Sequence, residues 1–137
     1  MAATPNAAAV PQQLRLAPDK QALTVVWADG ERRFAAEYLR VCSPSAEVRG
    51  HGGEWQIVGG KRDVRIERIE PVGRYAVRLV FSDGHDSGLY SWEGLRELDA
   101  QHDAWWARYL ERLAAHGMSR EAAANVMPLN ALKPRKT

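Results

Sequence analysis

The stretch Asp83-Gly84-His85-Asp86 concentrates the chemistry this chain could perform. Together with His51 it offers two imidazoles and two carboxylates, a nitrogen–oxygen donor set suited to iron or zinc. Ligands packed this closely follow no fixed-spacing metal motif. The same residues also make an ordinary turn, with both aspartates bonding nearby backbone, and that reading is preferred. Cys42 falls at the end of a short helical segment, where the negative end of the helix dipole raises a thiol pKa. A partly buried structural thiol is therefore expected, not a nucleophile. Ser43 and Ser45 with His85 or His51 suggest a hydrolase, but no Gly-x-Ser-x-Gly turn supports one. Gly59-Gly60-Lys61 falls short of a phosphate-binding loop and reads as a turn. Arg40 either meets a helix dipole or pairs with Asp83.

These residues must be positioned by strands and short helices. Residues 23–27 are apolar and rich in β-formers, and Asp29-Gly30 after them signals a hairpin returning over residues 32–34. Residues 35–41 have helix-forming composition and must stop before Pro44. Residues 43–53 read as a loop, and residues 55–58 as a short strand closed by Gly59-Gly60. Residues 64–70 and 75–81 are the clearest strands, joined by a turn at Pro71-Val72-Gly73. Period 2 puts Tyr75, Val77, Leu79 and Phe81 on one face. A second Asp-Gly turn covers residues 82–87, a strand returns over 88–90, and a helix follows over 92–98.

The best helix spans residues 103–116, with Trp106, Tyr109, Leu110 and Leu113 as its apolar stripe. Asp103 is placed to cap it and Gly117 to end it, while Trp105 flanks the packing face or joins a contact site. Residues 119–126 add a further turn or two of helix.

Two segments echo each other. Val25-Val26-Trp27-Ala28-Asp29-Gly30 runs on to Leu39-Arg40, and Leu79-Val80-Phe81-Ser82-Asp83-Gly84 runs on to Leu95-Arg96. Each reads strand, Asp-Gly turn, strand, short helix. Neither ββα unit can bury its apolar face alone. The expected fold is therefore α+β: one small domain of antiparallel β-hairpins with short helices, two ββα-like units and a C-terminal helix. Residues 1–13 read as a disordered leader, 14–98 as the domain, 99–127 as a helical extension and 128–137 as a basic tail.

The composition is that of a globular chain. It has 137 residues, 45% of them hydrophobic, enough for one modest core. A single cysteine excludes an internal disulfide and a cysteine-rich cluster. No apolar run approaches the ~20 residues of a membrane span, and no signal peptide is visible, so a cytoplasmic protein without membrane contact is expected. The net charge is +2. Residues 14–98 balance 13 Lys/Arg against 13 Asp/Glu, and the excess lies in the last residues, Lys133, Arg135 and Lys136 among them. A nucleic-acid-binding domain concentrates basic charge on its folded body, so no nucleic-acid partner is expected.

Three blocks in order carry a family resemblance. They are Tyr38-Leu39-Arg40-Val41-Cys42-Ser43-Pro44-Ser45 running on to Gly52, Ile69-Glu70-Pro71-Val72-Gly73-Arg74-Tyr75-Ala76-Val77, and Phe81-Ser82-Asp83-Gly84-His85-Asp86-Ser87-Gly88-Leu89-Tyr90-Ser91-Trp92. Over residues 14–98 the chain resembles the gamma-butyrobetaine hydroxylase-like N-terminal domain, the former domain of unknown function 971, in its short bacterial form. The resemblance implies a domain that precedes iron- and 2-oxoglutarate-dependent dioxygenase domains, or accompanies P-loop ATPases that carry iron–sulfur clusters. It also implies a structural zinc, held in the hydroxylases by three cysteines and a histidine. The matching positions here are Ser43, Ser45, Val48 and His85, so only the histidine remains. A serine hydroxyl stays protonated near neutral pH and valine has no donor, so the zinc site is expected to be lost.

Two functions of different class follow. The first is a non-enzymatic interaction module for a protein partner, tied to iron–sulfur or redox-enzyme assembly. Its surface would be the loop over residues 43–53 beside Asp83, His85 and Asp86, with Arg40, His51 and Tyr90 at the rim. The second is a metal-binding accessory that holds iron or zinc at His85. No cofactor is expected, an enzyme lacks a nameable substrate, and a homodimer would form through Trp105 or an open sheet edge.

Overall fold

A computed structural model describes residues 10–44 and 56–121. Strands β1 (Gln13–Leu16), β2 (Ala22–Trp27) and β3 (Gly30–Ala35) form an antiparallel sheet in the order β1-β2-β3, and helix α1 (Ala36–Val41) follows. The pattern then repeats. Strands β4 (Ile66–Val72), β5 (Ala76–Phe81) and β6 (Leu89–Ser91) form a second antiparallel sheet, followed by α2 (Trp92–Ala100). Helix α3 (His102–Ala115) completes the described architecture. The two echoing segments are thus the cores of two βββα units, and the α+β expectation holds.

Each element has a local cause. Trp27 pairs with Gly30 across a two-residue turn, and Gly30 adopts φ +136°, which L side chains rarely reach. Ser91 starts α2 by accepting the Gly94 N–H at 3.0 Å. Helix α3 ends where Gly117 turns left-handed and the Met118 N–H returns to the Leu113 carbonyl at 2.8 Å. Leu23, Val25, Trp27 and Phe34 of the first sheet meet Ile66, Val77, Leu79 and Phe81 of the second in one apolar core. Tyr38, Leu39, Tyr90, Leu95, Tyr109 and Leu113 close it from the helices and β6.

Several local expectations are corrected. Strand β1 lies where only the onset of order was expected, and residues 56–58 form no strand. Pro71 belongs to β4 and not to the turn, which moves to residues 73–75 with Gly73 at φ +57°. Because β4 is an edge strand, the N–H that proline lacks costs the sheet little. Tyr75 therefore sits in the turn, 57% exposed, and leaves the buried row to Val77, Leu79 and Phe81. Asp103 lies inside the first turn of α3, and the cap position is Gln101, without a side-chain cap bond. Leu110 faces outward, while Trp106 and Trp105 are half-buried against the core. Residues 119–121 are not helical, and the rest of that segment lies outside the described residues.

The two units are bound reciprocally. Arg40, at the end of α1, pairs with Asp83 of the second unit's Asp-Gly turn at 2.7 Å. Arg96, midway along α2, pairs bidentately with Asp29 of the first unit's turn at 2.8 and 3.1 Å. Its guanidinium also stacks 4.1 Å from the Trp27 ring. Each arginine thus anchors the other unit's turn.

Candidate functional site

The end of α1 and the long β5–β6 turn converge at the Arg40–Asp83 pair. The Asp83 carboxylate accepts from Arg40 Nε at 2.7 Å, from Lys61 Nζ at 2.6 Å and from the backbone N–H of His85 at 3.0 Å. Burial alone would push this carboxyl up. The hydrogen bonds from Lys61, the His85 backbone and Arg40 outweigh it and bring the pKa from 3.8 to about 2. Asp83 thus makes the side-chain-to-backbone bond of the turn reading and holds two cations besides, whereas Asp86, expected to bond backbone as well, faces Arg78 instead.

Ser43 and His85 meet beside this pair. Ser43 Oγ lies 3.0 Å from His85 Nε2, with the serine fully buried and the histidine 8% exposed. Gly88 makes room for them: a Cβ there would fall 2.5 Å from Ser43 Oγ and 3.1 Å from the Tyr90 ring. The Tyr90 hydroxyl donates to the Leu39 carbonyl at 2.6 Å, tying β6 to α1. Burial raises the pKa of that phenol, against the opposing hydrogen bond from Ser43.

Of the residues singled out from the sequence, Arg40, Ser43, Asp83, His85 and Tyr90 come together. Asp86 points away, 3.9 Å from Arg78 Nη1 and open to solvent. Ser45 and His51 lie outside the described residues. The rim role expected of Arg40 and Tyr90 is corrected, because both side chains are buried and hold the site from within. Arg40 Nη1 is the one buried side-chain nitrogen or oxygen without a hydrogen-bond partner among the described residues. Cys42 is buried and lines a small hollow of about 60 Å³ with Pro44, Leu89, Leu98 and Trp105.

Sequence reasoning missed Lys61, which had been absorbed into a glycine turn. It also missed a clasp at the first turn of α1. There the buried Glu37 accepts from Arg120 at 2.6 and 2.9 Å, and Arg120 lies 5.3 Å over the Trp106 ring. Nothing in the local sequence marks a pair separated by 83 residues.

The site and its frame define a class: a small α+β domain of two reciprocally clamped βββα units, with a buried polar knot under the second unit's turn. The chain belongs to the gamma-butyrobetaine hydroxylase-like N-terminal domain family, whose model matches residues 14–96. It is similar to two proteins solved by NMR in solution. One is 39% identical with a TM-score of 0.72, covering 93% of this chain and 98% of the other. The second is 43% identical with a TM-score of 0.72, covering 88% and 92%. A crystal structure from Acidithiobacillus ferrooxidans is 43% identical over 66% of this chain and 93% of the other, with a TM-score of 0.56. That protein is described as of unknown function and a member of the domain-of-unknown-function 971 family. No curated protein matches the chain.

The zinc that the family resemblance implies does not fit the residues present. Two of the four ligand positions, Ser43 and His85, do come within 3.0 Å of each other. The pair consists of a neutral hydroxyl hydrogen-bonded to an imidazole, where a structural zinc takes four thiolate, imidazole or carboxylate donors. Among the described residues, no three His, Cys, Asp or Glu side chains gather closely enough to hold a metal ion.

Proposed function

We propose that the protein is a non-enzymatic accessory module that docks on a protein partner in the cytoplasm, in iron–sulfur or redox-enzyme assembly. One observation carries this reading. The polar side chains gathered at the site hold one another and the backbone, so they set the shape of a surface instead of presenting reactive atoms. Ser43 holds His85, Asp83 holds Arg40 and Lys61, and Tyr90 holds the α1 carbonyl of Leu39. Above this knot, Leu89 stands 46% exposed beside Pro44 and the hollow that reaches Trp105. An exposed leucine at the lip of an apolar hollow suits an apolar anchor from a partner. The link to redox assembly rests on the catalytic domains that the family resemblance places beside such domains. No helix among the described residues is long and apolar enough to cross a membrane.

Leu89→Asp should test the surface without disturbing the core. Partners captured by tagged wild-type protein and quantified by mass spectrometry should fall at least about tenfold with Leu89→Asp. They should be retained with Leu110→Asp, which changes an exposed leucine on α3. Equal capture by both variants would remove the surface from consideration. The alternative, iron or zinc held at His85, is separated by elemental analysis of tag-free protein. Metal is expected well below one ion per chain and unchanged by His85→Ala. Stoichiometric metal that His85→Ala abolishes would replace the docking proposal with a metal-binding one.

A further inference from the structure

We propose that the outer face of the first sheet binds a tetrahedral phosphoryl-type oxyanion. The register places Arg15 opposite Thr24 and Thr24 opposite Arg33, one continuous row across β1, β2 and β3. Cross-strand partners project from the same face. The flanking Leu23, Val25 and Phe34 are buried in the core, so this row stands on the opposite side of the sheet. Arg15, Thr24, Glu31 and Arg33, with Ala17 and Pro18, line a concavity of about 480 Å³, far larger than the hollow beside Trp105.

Its rim is firmly built. In the β1–β2 turn, Ala17 and Ala22 share a 2.9 Å backbone bond and Lys20 donates to the Ala17 carbonyl at 2.8 Å. Asp19 accepts from the Gln21 N–H at 3.0 Å, and Lys20 is held in the left-handed region at φ +62°. The charge in the concavity is unbalanced. Glu31 is engaged by Arg15 at 2.6 Å, while Arg33 has neither an ion pair nor a hydrogen-bond partner among the described residues.

The geometry selects the ligand. Arg33 stands one strand spacing from Thr24, about 5 Å, within reach of an anion seated over Thr24, while Arg15 across β2 holds Glu31. The planar fork of Arg33 takes two oxygens, and the Thr24 hydroxyl can donate to a third. A carboxylate fills the fork alone and leaves the threonine unused. A phosphoryl group, free or carried by a small molecule, has oxygens for both.

The test is a titration of the whole ¹⁵N-labelled chain with inorganic phosphate at constant ionic strength, followed by amide shifts, with acetate as a parallel arm. Saturable shifts are expected around Arg15, Thr24 and Arg33, with acetate clearly weaker. Arg33→Gln, at an exposed position, should raise the half-saturating concentration about tenfold, the loss of one charge-assisted fork. Arg33→Lys, which keeps charge and loses the fork, should fall between. Shifts that grow linearly over the whole surface would overturn the site, as would an unchanged curve in Arg33→Gln. An acetate response equal to that of phosphate would overturn the assignment of the ligand.

Discussion

Asp83→Ala is expected to lower folding stability by about 3 kcal/mol, seen as a fall in the urea midpoint at unchanged slope. The carboxylate holds two cations, and one of them, Arg40, is 8% exposed. Removing it leaves Arg40 buried without its counter-charge, beside an Nη1 that already lacks a partner among the described residues. It also frees the backbone N–H of His85, which Asp83 holds at 3.0 Å. The full cost of breaking a buried pair is discounted because the Asp83 side chain keeps about 20% exposure. The reciprocal pair is an internal control. Asp29 meets Arg96 with good bidentate geometry but is largely open to solvent, so Asp29→Ala should move the midpoint far less. Equal shifts for the two variants would show that burial of the knot contributes nothing.

The same pair sets a pH dependence with a definite sign. The folded-state pKa of Asp83 lies below its unfolded value, so its stabilisation is present in full above pH 4 and is lost as pH falls. The window runs from about 4 down to about 2, between the ordinary value of 3.8 and the folded one. Glu67 and Glu70 are also lowered, chiefly by hydrogen bonds from Arg65 and Arg78, and contribute to the acid response. They are untouched by Asp83→Asn. The difference between the wild-type and Asp83→Asn stability curves should therefore isolate Asp83 and shrink across that window. A difference that stays constant down to pH 2 would refute the assignment.

Much of this frame was legible because the turns carry their own chemistry. Asp29-Gly30 and Asp83-Gly84 marked both hairpins, and the alternation of Val77, Leu79 and Phe81 marked the buried face of β5. Strand β1 was missed although Leu14 and Leu16 alternate with exposed Gln13 and Arg15. Four residues after an alanine- and proline-rich leader are too few for a pattern, and the strand exists because β2 offers it a partner. Pro71 misled for the opposite reason. Its turn preference is real, but on an edge strand it is overridden by pairing with β5.

The candidate site was legible as a list of residues and not as a geometry. Nothing in the sequence separates a buried arginine from an exposed one, so Arg40 and Tyr90 were placed at a rim when they belong to the interior. The Arg40–Asp83 pair was one of two open readings, but its counterpart, Arg96–Asp29, was not foreseen. Reciprocity of that kind is a property of two units packed against each other, and it has no local signature. Lys61 and the Glu37–Arg120 clasp were hidden in the same way, by distance along the chain.

Gly88→Ala is expected to lower stability by about 2 kcal/mol, and to do so through the Ser43–His85 pair. A methyl at this position would meet Ser43 Oγ at 2.5 Å and the Tyr90 ring at 3.1 Å, both below ordinary contact. The serine cannot turn aside freely, because it is fully buried and bonded to His85. The clash must therefore displace the hydroxyl from the imidazole or push β6 away from α1, where Tyr90 reaches the Leu39 carbonyl. Gly84→Ala separates this from backbone strain. Gly84 has φ +93° and nothing within 4 Å of the added carbon, so its cost is conformational, about 1 kcal/mol. A double-mutant cycle then locates the collision. In a Ser43→Ala background the hydroxyl is gone, and Gly88→Ala should cost at least about 1 kcal/mol less than in the wild type. Strict additivity of the two changes would place the clash elsewhere and leave the close approach of β6 to the chain after α1 without its proposed cause.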